Sequence, residues 1–287
     1  MNCADVEALH AERWFHTIEL PDGSCTPGVF DMRSCSARLD WPALTGARCL
    51  DVGTCDGFWA FEIERRGAAE VLAIDVDDPW QLDLPQEVRD RDIEELRRSA
   101  ARRKKRFEMA AAARSSRVRR IACSVYDLDP AMHGVFDVIF CGTLLIHLRD
   151  PVRALRRIAG VCAGELMLLE TVDARLDLLH PSSPCARLEP APLQWWRANT
   201  AGLHAMLRLA GFEVLSTSPR FLTPHGAGLS SGRPQGARAR ASAWARTRLA
   251  ASSAPLVTRS LGLVFGNYDV AIRARPRAGV RPAAVVL

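Results

Sequence analysis

The stretch CLDVGTCDGFW, Cys49 to Trp59, places a carboxylate, Asp51, two residues before Gly53, with Gly57 four residues further on. An apolar strand that breaks into a glycine loop and restarts as a helix can bring main-chain N–H groups up to a nucleotide-like ligand. The dinucleotide fingerprint G-x-G-x-x-G is not met, since its third and sixth positions are Cys55 and Phe58. A second carboxylate, Asp75 in VLAIDVDD, follows Gly53 by 22 residues. That spacing suits an acid at the end of the next strand that accepts both hydroxyls of a ribose.

These features fit S-adenosyl-L-methionine (SAM) better than a dinucleotide. SAM has no pyrophosphate, so its loop need not come equally close at every glycine and Cys55 is tolerated. Asp51, Gly53 and Gly57 supply the acid and the close approach, and Asp75 with Val76 the ribose end. Val125 and Tyr126 in SVYDL are placed beside the adenine, and Gly142, near the end of FDVIFCGT, completes the set. Asp127 reads either as a partner of the exocyclic amine or as a helix cap ahead of Pro130.

Methyl transfer from a sulfonium is an in-line displacement, so positioning in a dry site can supply much of the rate. A base is needed only for a protonated acceptor. Glu170, at the end of LMLLETVD, is a candidate base or cation anchor, with a loop-amide partner as its structural alternative. His147 and His16 are the other candidate catalytic groups, each able to take a proton near neutral pH. Arg33 is a candidate partner of the SAM carboxylate, and Trp14, Trp195 and Trp196 candidate walls for the acceptor. With no HExxH, no GxSxG and no clustered ligands, no metal is expected.

Elements that position these residues follow a β-α rhythm from Arg48 onward. RCLDV, EVLAIDV, RRIACSVYDL, FDVIFCGT and GELMLLETVD read as strands, with helices after the glycine loop, from about Leu84 to Arg114, and over VRALRRIAGVC. LQWWRANTAGLHAMLRLAG reads as a further helix, and FEVLSTSP and NYDVAIRARP as the closing strands. The pattern implies an α/β, doubly wound, Rossmann-like and mainly parallel seven-stranded sheet. Residues 1–45 are expected to form an N-terminal lid and 46–275 the SAM-binding domain. A variable insertion lies at about 221–261, with one helix expected in TRLAASSAPLVTRSLGL, and 276–287 form a flexible tail.

Composition is ordinary for a globular protein, 48% apolar and 25% charged, in 287 residues. Neither a membrane span nor a secretory leader is evident, so a cytoplasmic location is expected. Nine cysteines without a CxxC pair point to reduced thiols. The net charge of +5 is concentrated between Arg97 and Arg120, where eleven basic residues face one glutamate. Such a run is either a solvated helix face or a phosphate-binding surface.

Together WFHTIELPDG, TPGVFDMR, LDVGTCDGFWAFE, AIDVDD, VYDL, GTLLIHLRDP and LLETVD resemble the class I SAM-dependent methyltransferases, specifically the group around the tRNA wobble-uridine carboxymethyl transferase. The resemblance runs over roughly residues 14 to 215 plus the final strand. It implies a carboxy-SAM cofactor, whose extra carboxylate that branch holds with basic and phenolic side chains. The matching positions here are His16, Ile146 and Tyr268, which would leave that carboxylate without charge-assisted partners at a cost of several kcal/mol. Plain methyl transfer is therefore expected, to a small-molecule acceptor, with tRNA the alternative partner. Phe107 is the one aromatic in the basic run, too few to stack unpaired bases.

Overall fold

A computed structural model describes residues 3–188, 193–229 and 268–278. The chain opens with α1 (Cys3–Ala11), a short parallel pair β1 (Trp14–His16) and β2 (Gly28–Phe30), and α2 (Arg33–Ser36). Strands and helices then alternate: β3 (Arg48–Val52), α3 (Phe58–Arg65), β4 (Glu70–Asp75), α4 (Gln86–Arg114), β5 (Arg119–Ala122), α5 (Pro130–His133), β6 (Phe136–Gly142), α6 (Pro151–Val161) and β7 (Cys162–Val172). There follow α7 (Ala174–Leu179), the antiparallel pair β8 (Ala186–Leu188) and β9 (Trp196–Ala198), α8 (Thr200–Leu209), β10 (Phe212–Thr217), β11 (Phe221–Leu222) and β12 (Tyr268–Pro276).

The main sheet has the order β10-β12-β7-β6-β3-β4-β5, with β11 added beside β12. β3, β4, β5, β6 and β7 pair in parallel, and β12 runs against both β7 and β10. The seven expected strands are present, and β11 is an eighth that the sequence reading did not include. Because successive side chains of a strand point to opposite faces, each strand feeds two cores. Leu50, Val52, Leu72 and Ile74 join Leu155 and Ile158 of α6 and Leu203 and Leu207 of α8. Cys49, Val71 and Ala73 meet Phe61 and Ile63 of α3, Phe107 of α4 and the N-terminal Trp14 and Ile18. β3 lies between β4 and β6, so the chain reverses its direction of sheet growth there, and a crevice opens at the carboxyl ends.

Three expectations are corrected. The third strand stops at Ala122, because the Ser124 hydroxyl accepts from Tyr126 N and turns Val125–Asp127 into a 3-10 helix. The helix read over residues 193–211 starts only at Thr200: Trp196–Ala198 pair with β8, and the Asn199 side chain caps the helix by accepting from Gly202 N. α4 begins at Gln86 rather than Leu84, and is bent at Asp92, whose φ of −117° and ψ of 16° leave the helical region. Part of the insertion is ordered as well. β11 pairs with β12, and His225 bridges to Phe30 of β2, so residues 221–229 join the sheet edge to the N-terminal segment. The helix expected in 247–263 and most of the expected tail lie outside the described residues.

Candidate active site

At the carboxyl end of β3 the chain folds back on β4. Gly53 N and Thr54 N both donate to Ile74 O, at 2.9 and 3.0 Å. Cys55 N donates to Asp75 Oδ2 at 2.8 Å, and Val76 N to Asp75 Oδ1 at 2.7 Å. To make this turn the backbone enters the left-handed region three times, at Gly53 (φ 77°), Cys55 (φ 52°) and Gly57 (φ 94°). Cys55 thus keeps the conformation a glycine would adopt, at a strain of about 1–2 kcal/mol. Gly57 is fixed by packing too: a β-carbon there would lie 2.5 Å from the Phe61 ring and 2.8 Å from Phe107.

Asp51 lies on the floor of this loop, 1% exposed, and burial pushes its carboxyl up to about 7. Its Oδ2 and the neighbouring Thr54 Oγ1 are buried with no hydrogen-bond partner among the described residues. An unsatisfied buried carboxylate oxygen is costly, and a cationic N–H donor is what would satisfy it. The α-ammonium of SAM is such a donor, so the residues present fit the cofactor. Asp75 remains half-buried beside it, with Arg103 of α4 close by: its Nε is 4.0 Å from Asp75 Oδ1 and its Nη2 donates to Val76 O at 3.1 Å. Arg103 was read only as part of the basic run.

On the neighbouring side Val125 is buried, and the Tyr126 hydroxyl donates to Asp83 Oδ2 at 2.8 Å and accepts from Asp150 N at 3.1 Å. Asp127 is exposed, and the cap of α5 is Asp129, whose Oδ1 accepts from Ala131 N. Gly142 leads into Thr143, another left-handed residue with φ 50°; Phe140 and Trp59 fill the space a Gly142 side chain would need. Leu144 then lies over Gly53.

The candidate catalytic groups separate clearly. Glu170 is 1% exposed; Leu145 N donates to its Oε2 at 2.7 Å and Thr171 N to its Oε1 at 2.9 Å. Burial pushes it up to about 8. It pins the loop after β6 to β7, and it has no surface to offer an acceptor. His147 hydrogen-bonds through Nδ1 to Leu193 O, and burial lowers its pKa, so it fastens the segment that leads into β9. Trp195 N donates to Ile146 O and its indole to Asp83 O, while the Trp196 indole donates to Arg149 O. Both tryptophans therefore lock β9 across the rim of the crevice.

His16 differs, because its partner belongs to the glycine loop itself. Asp56, fully buried, accepts from Phe15 N and His16 N through Oδ2 at 2.9 and 2.8 Å, and its Oδ1 is 2.6 Å from His16 Nδ1. Burial would raise the Asp56 carboxyl, but the imidazole and main-chain N–H of His16, with Arg106, outweigh it and hold it below its ordinary value. Asp56 is not singled out in the sequence analysis. One N-terminal expectation is corrected. Trp14 is 1% exposed and gives its indole N–H to Leu9 O, so it is a core residue rather than a wall for the acceptor. Arg33 forms a forked pair with Asp31 and also reaches Cys25 Sγ, while 40% of its side chain stays exposed, so its expected role toward the SAM carboxylate stays open. Asp269, at the start of β12, was also missed. It is buried beside Glu170's neighbour Thr171, with Oδ1 and Oδ2 accepting from the hydroxyls of Thr171 and Thr223, both at 2.7 Å. Among the described residues no group of His, Cys, Asp and Glu side chains could hold a metal ion, and no helix is long and apolar enough to cross a membrane.

Residues 33–217, more than half of the chain, match the Methyltransferase domain family. Among solved structures, the N-terminal domain of EvdMO1, crystallised in the presence of S-adenosylhomocysteine (SAH) and D-fucose, is similar with 19% identity, TM-score 0.56 and 96% of each chain covered. The 1,6-didemethyltoxoflavin-N1-methyltransferase of Burkholderia thailandensis is similar at 17% identity and TM-score 0.50, over 85% of this chain and 77% of that one. Full-length EvdMO1 is covered over 47% of its length, at TM-score 0.52. No curated protein matches the chain in sequence. Taken with the glycine loop and the two carboxylates at the ends of β3 and β4, these likenesses lead to one assignment: the chain belongs to the methyltransferase domain family and is a SAM-dependent methyltransferase.

Proposed function

We propose that this cytoplasmic enzyme methylates a small-molecule acceptor, an intermediate of natural-product biosynthesis, at oxygen, nitrogen or carbon. In this reading Asp51 receives the SAM ammonium, and Gly53 with the loop N–H groups lines the amino-acid end. Asp75 and Val76 hold the ribose, and Val125 and Tyr126 flank the adenine. SAM, when bound, supplies an electrophilic methyl group on a sulfonium. The observation that carries the reading is the unpartnered Asp51 Oδ2 in a loop whose left-handed turns bring it beside Asp75. Residues 1–45 act with 221–229 as the cover of the acceptor space, a role supported by the bonds from Phe15 and His16 to Asp56 and by the bridge from Phe30 to His225.

A small acceptor is favoured by the two similar structures, one crystallised in the presence of D-fucose and one with 1,6-didemethyltoxoflavin bound. The tRNA alternative needs a free basic surface, and much of the basic run is already engaged. Arg97, Arg98, Arg102 and Lys105 pair with Glu94, Glu95 and Glu12, Arg120 pairs with Asp77, and Arg114 reaches Glu19 O. The test is mass spectrometry of the ligand retained on purification, followed by incubation with methyl-labelled SAM and separate small-molecule and RNA fractions of a cell extract. SAM or SAH on the protein and label in the small-molecule fraction are expected; label in RNA alone overturns the choice of acceptor.

A further inference from the structure

The imidazole of His16 has two environments. On one side lies Asp56, fully buried and anchored by two main-chain N–H groups, with its free oxygen 2.6 Å from Nδ1. The ring is also near enough to Asp51, the residue read as the ammonium site, for a charge on it to draw that carboxyl down. Phe15 and Phe58 enclose it, with ring centroids at 4.8 and 5.4 Å. The other charged group facing the pair is Arg106 of α4, which acts on Asp56. No second hydrogen bond to the imidazole is formed among the described residues, and 9% of the side chain stays accessible. Glu170, by contrast, has both carboxylate oxygens engaged with loop backbone, and His147 bonds through Nδ1 to a main-chain carbonyl rather than to a carboxylate.

We infer that Asp56 is a positioning residue that holds the Nδ1–H tautomer of His16, so that His16 Nε2 takes the proton from an acceptor hydroxyl during methyl transfer. The inference rests on the SAM site proposed above. Asp56 Oδ2 already accepts two N–H donors, which fixes the carboxylate and leaves Oδ1 to receive Nδ1–H; an imidazole oriented in this way has its lone pair on Nε2. As the acceptor oxygen forms its bond to the methyl carbon, its proton passes to Nε2 and the electron pair of the broken C–S bond remains on sulfur. A hydroxyl is the acceptor class that needs this help. An amine attacks with a lone pair it already has, whereas a hydroxyl that kept its proton would become an oxonium.

The first test does not need the acceptor. Nitrogen-15 NMR of the histidine-labelled full-length protein with SAM bound should show His16 protonated at Nδ1. Asp56→Asn should reverse the tautomer, since the amide oxygen would take the two main-chain donors and its NH2 would face Nδ1. SAM affinity, read by calorimetry, should stay within about threefold of wild type. Turnover with the extract fraction that takes up label should fall about 10²–10⁴-fold in kcat. His16→Gln, which leaves Asp56 and its loop bonds in place, should lose as much, and the double variant little more. Should Asp56→Asn fail to fold, His16→Gln carries the test alone. Carbon-13 NMR of the labelled product should show an O-methyl group. A wild-type His16 protonated at Nε2, His16→Gln turning over at the parental rate, or label on nitrogen or carbon would each overturn the inference. Wild-type protein that fails to bind SAM would instead overturn the cofactor site beneath it.

Discussion

The cofactor side of the crevice and the acceptor side are built from different kinds of contact. In the glycine loop on the cofactor side, the partners are near in sequence: Cys55 bonds to Asp75, 20 residues away, and Asp51 sits three residues before Thr54. In the contacts proposed to border the acceptor they are distant: His16 meets Asp56 across 40 positions, Thr171 meets Asp269 across 98 and Trp195 meets Asp83 across 112. A loop made within one β-α-β unit can be fixed by local backbone chemistry. Contacts assembled from the N-terminal segment, β9 and the start of β12 depend on the whole fold.

The largest effect should follow from overfilling the local loop. Gly57→Val combines a left-handed φ of 94° with a β-carbon 2.5 Å from Phe61, and should destabilise the protein by about 3–5 kcal/mol in urea unfolding. A loss of less than 1 kcal/mol would mean that the loop is not part of the folding unit.

Next comes pH. The folded carboxyls of Asp51 and Glu170 are raised to about 7 and about 8 from 3.8 and 4.5, both chiefly by burial. For a raised carboxyl the folded state binds more protons between the two values, so its contribution to stability is full below about pH 4 and is lost as pH rises through about 7 to 8. The melting temperature of the ligand-free protein should fall over that window. SAM affinity should move the opposite way, because the ammonium favours ionised Asp51: it should rise by up to about tenfold per pH unit and level off above about pH 7. Asp51→Asn should flatten that dependence, and an unchanged profile would remove Asp51 from the ammonium site.

Trp195→Phe probes the distant wall. It loses the indole bond to Asp83 O and should cost about 0.5–1.5 kcal/mol in stability, with a raised KM for the acceptor and an unchanged affinity for SAM. Smallest of all should be Arg97→Ala and Arg98→Ala on the exposed face of α4, each within about 0.5 kcal/mol in thermal melts and silent in small-molecule turnover.

Legibility followed the same division. The bounds of β3 were readable because RCLDV is an apolar run ended by glycine, and Asp75 was readable from its spacing to Gly53. Glu170 was placed correctly at a strand end, and its alternative reading, a bond from a loop amide, is met by Leu145 N; no pattern in the sequence says that Thr171 N would take the other oxygen. The reading over Trp195 and Trp196 failed because the residues have the apolar content of a helix, while pairing with β8 draws Trp196 into a strand and leaves Trp195 in the loop before it. The stop signal was nevertheless there, in an asparagine three places before Gly202 that caps the helix. Asp56 was missed because its significance lies in the partner 40 residues away, which only the fold brings to it.

The most direct measurement is calorimetric titration of SAM into the wild-type protein and into Asp75→Ala at neutral pH. One site per wild-type chain is expected, with binding weakened about 10–100-fold in the variant through loss of charge-assisted bonds to the ribose. No binding to the wild type, or equal affinity for both proteins, would contradict the placement of SAM at the ends of β3 and β4.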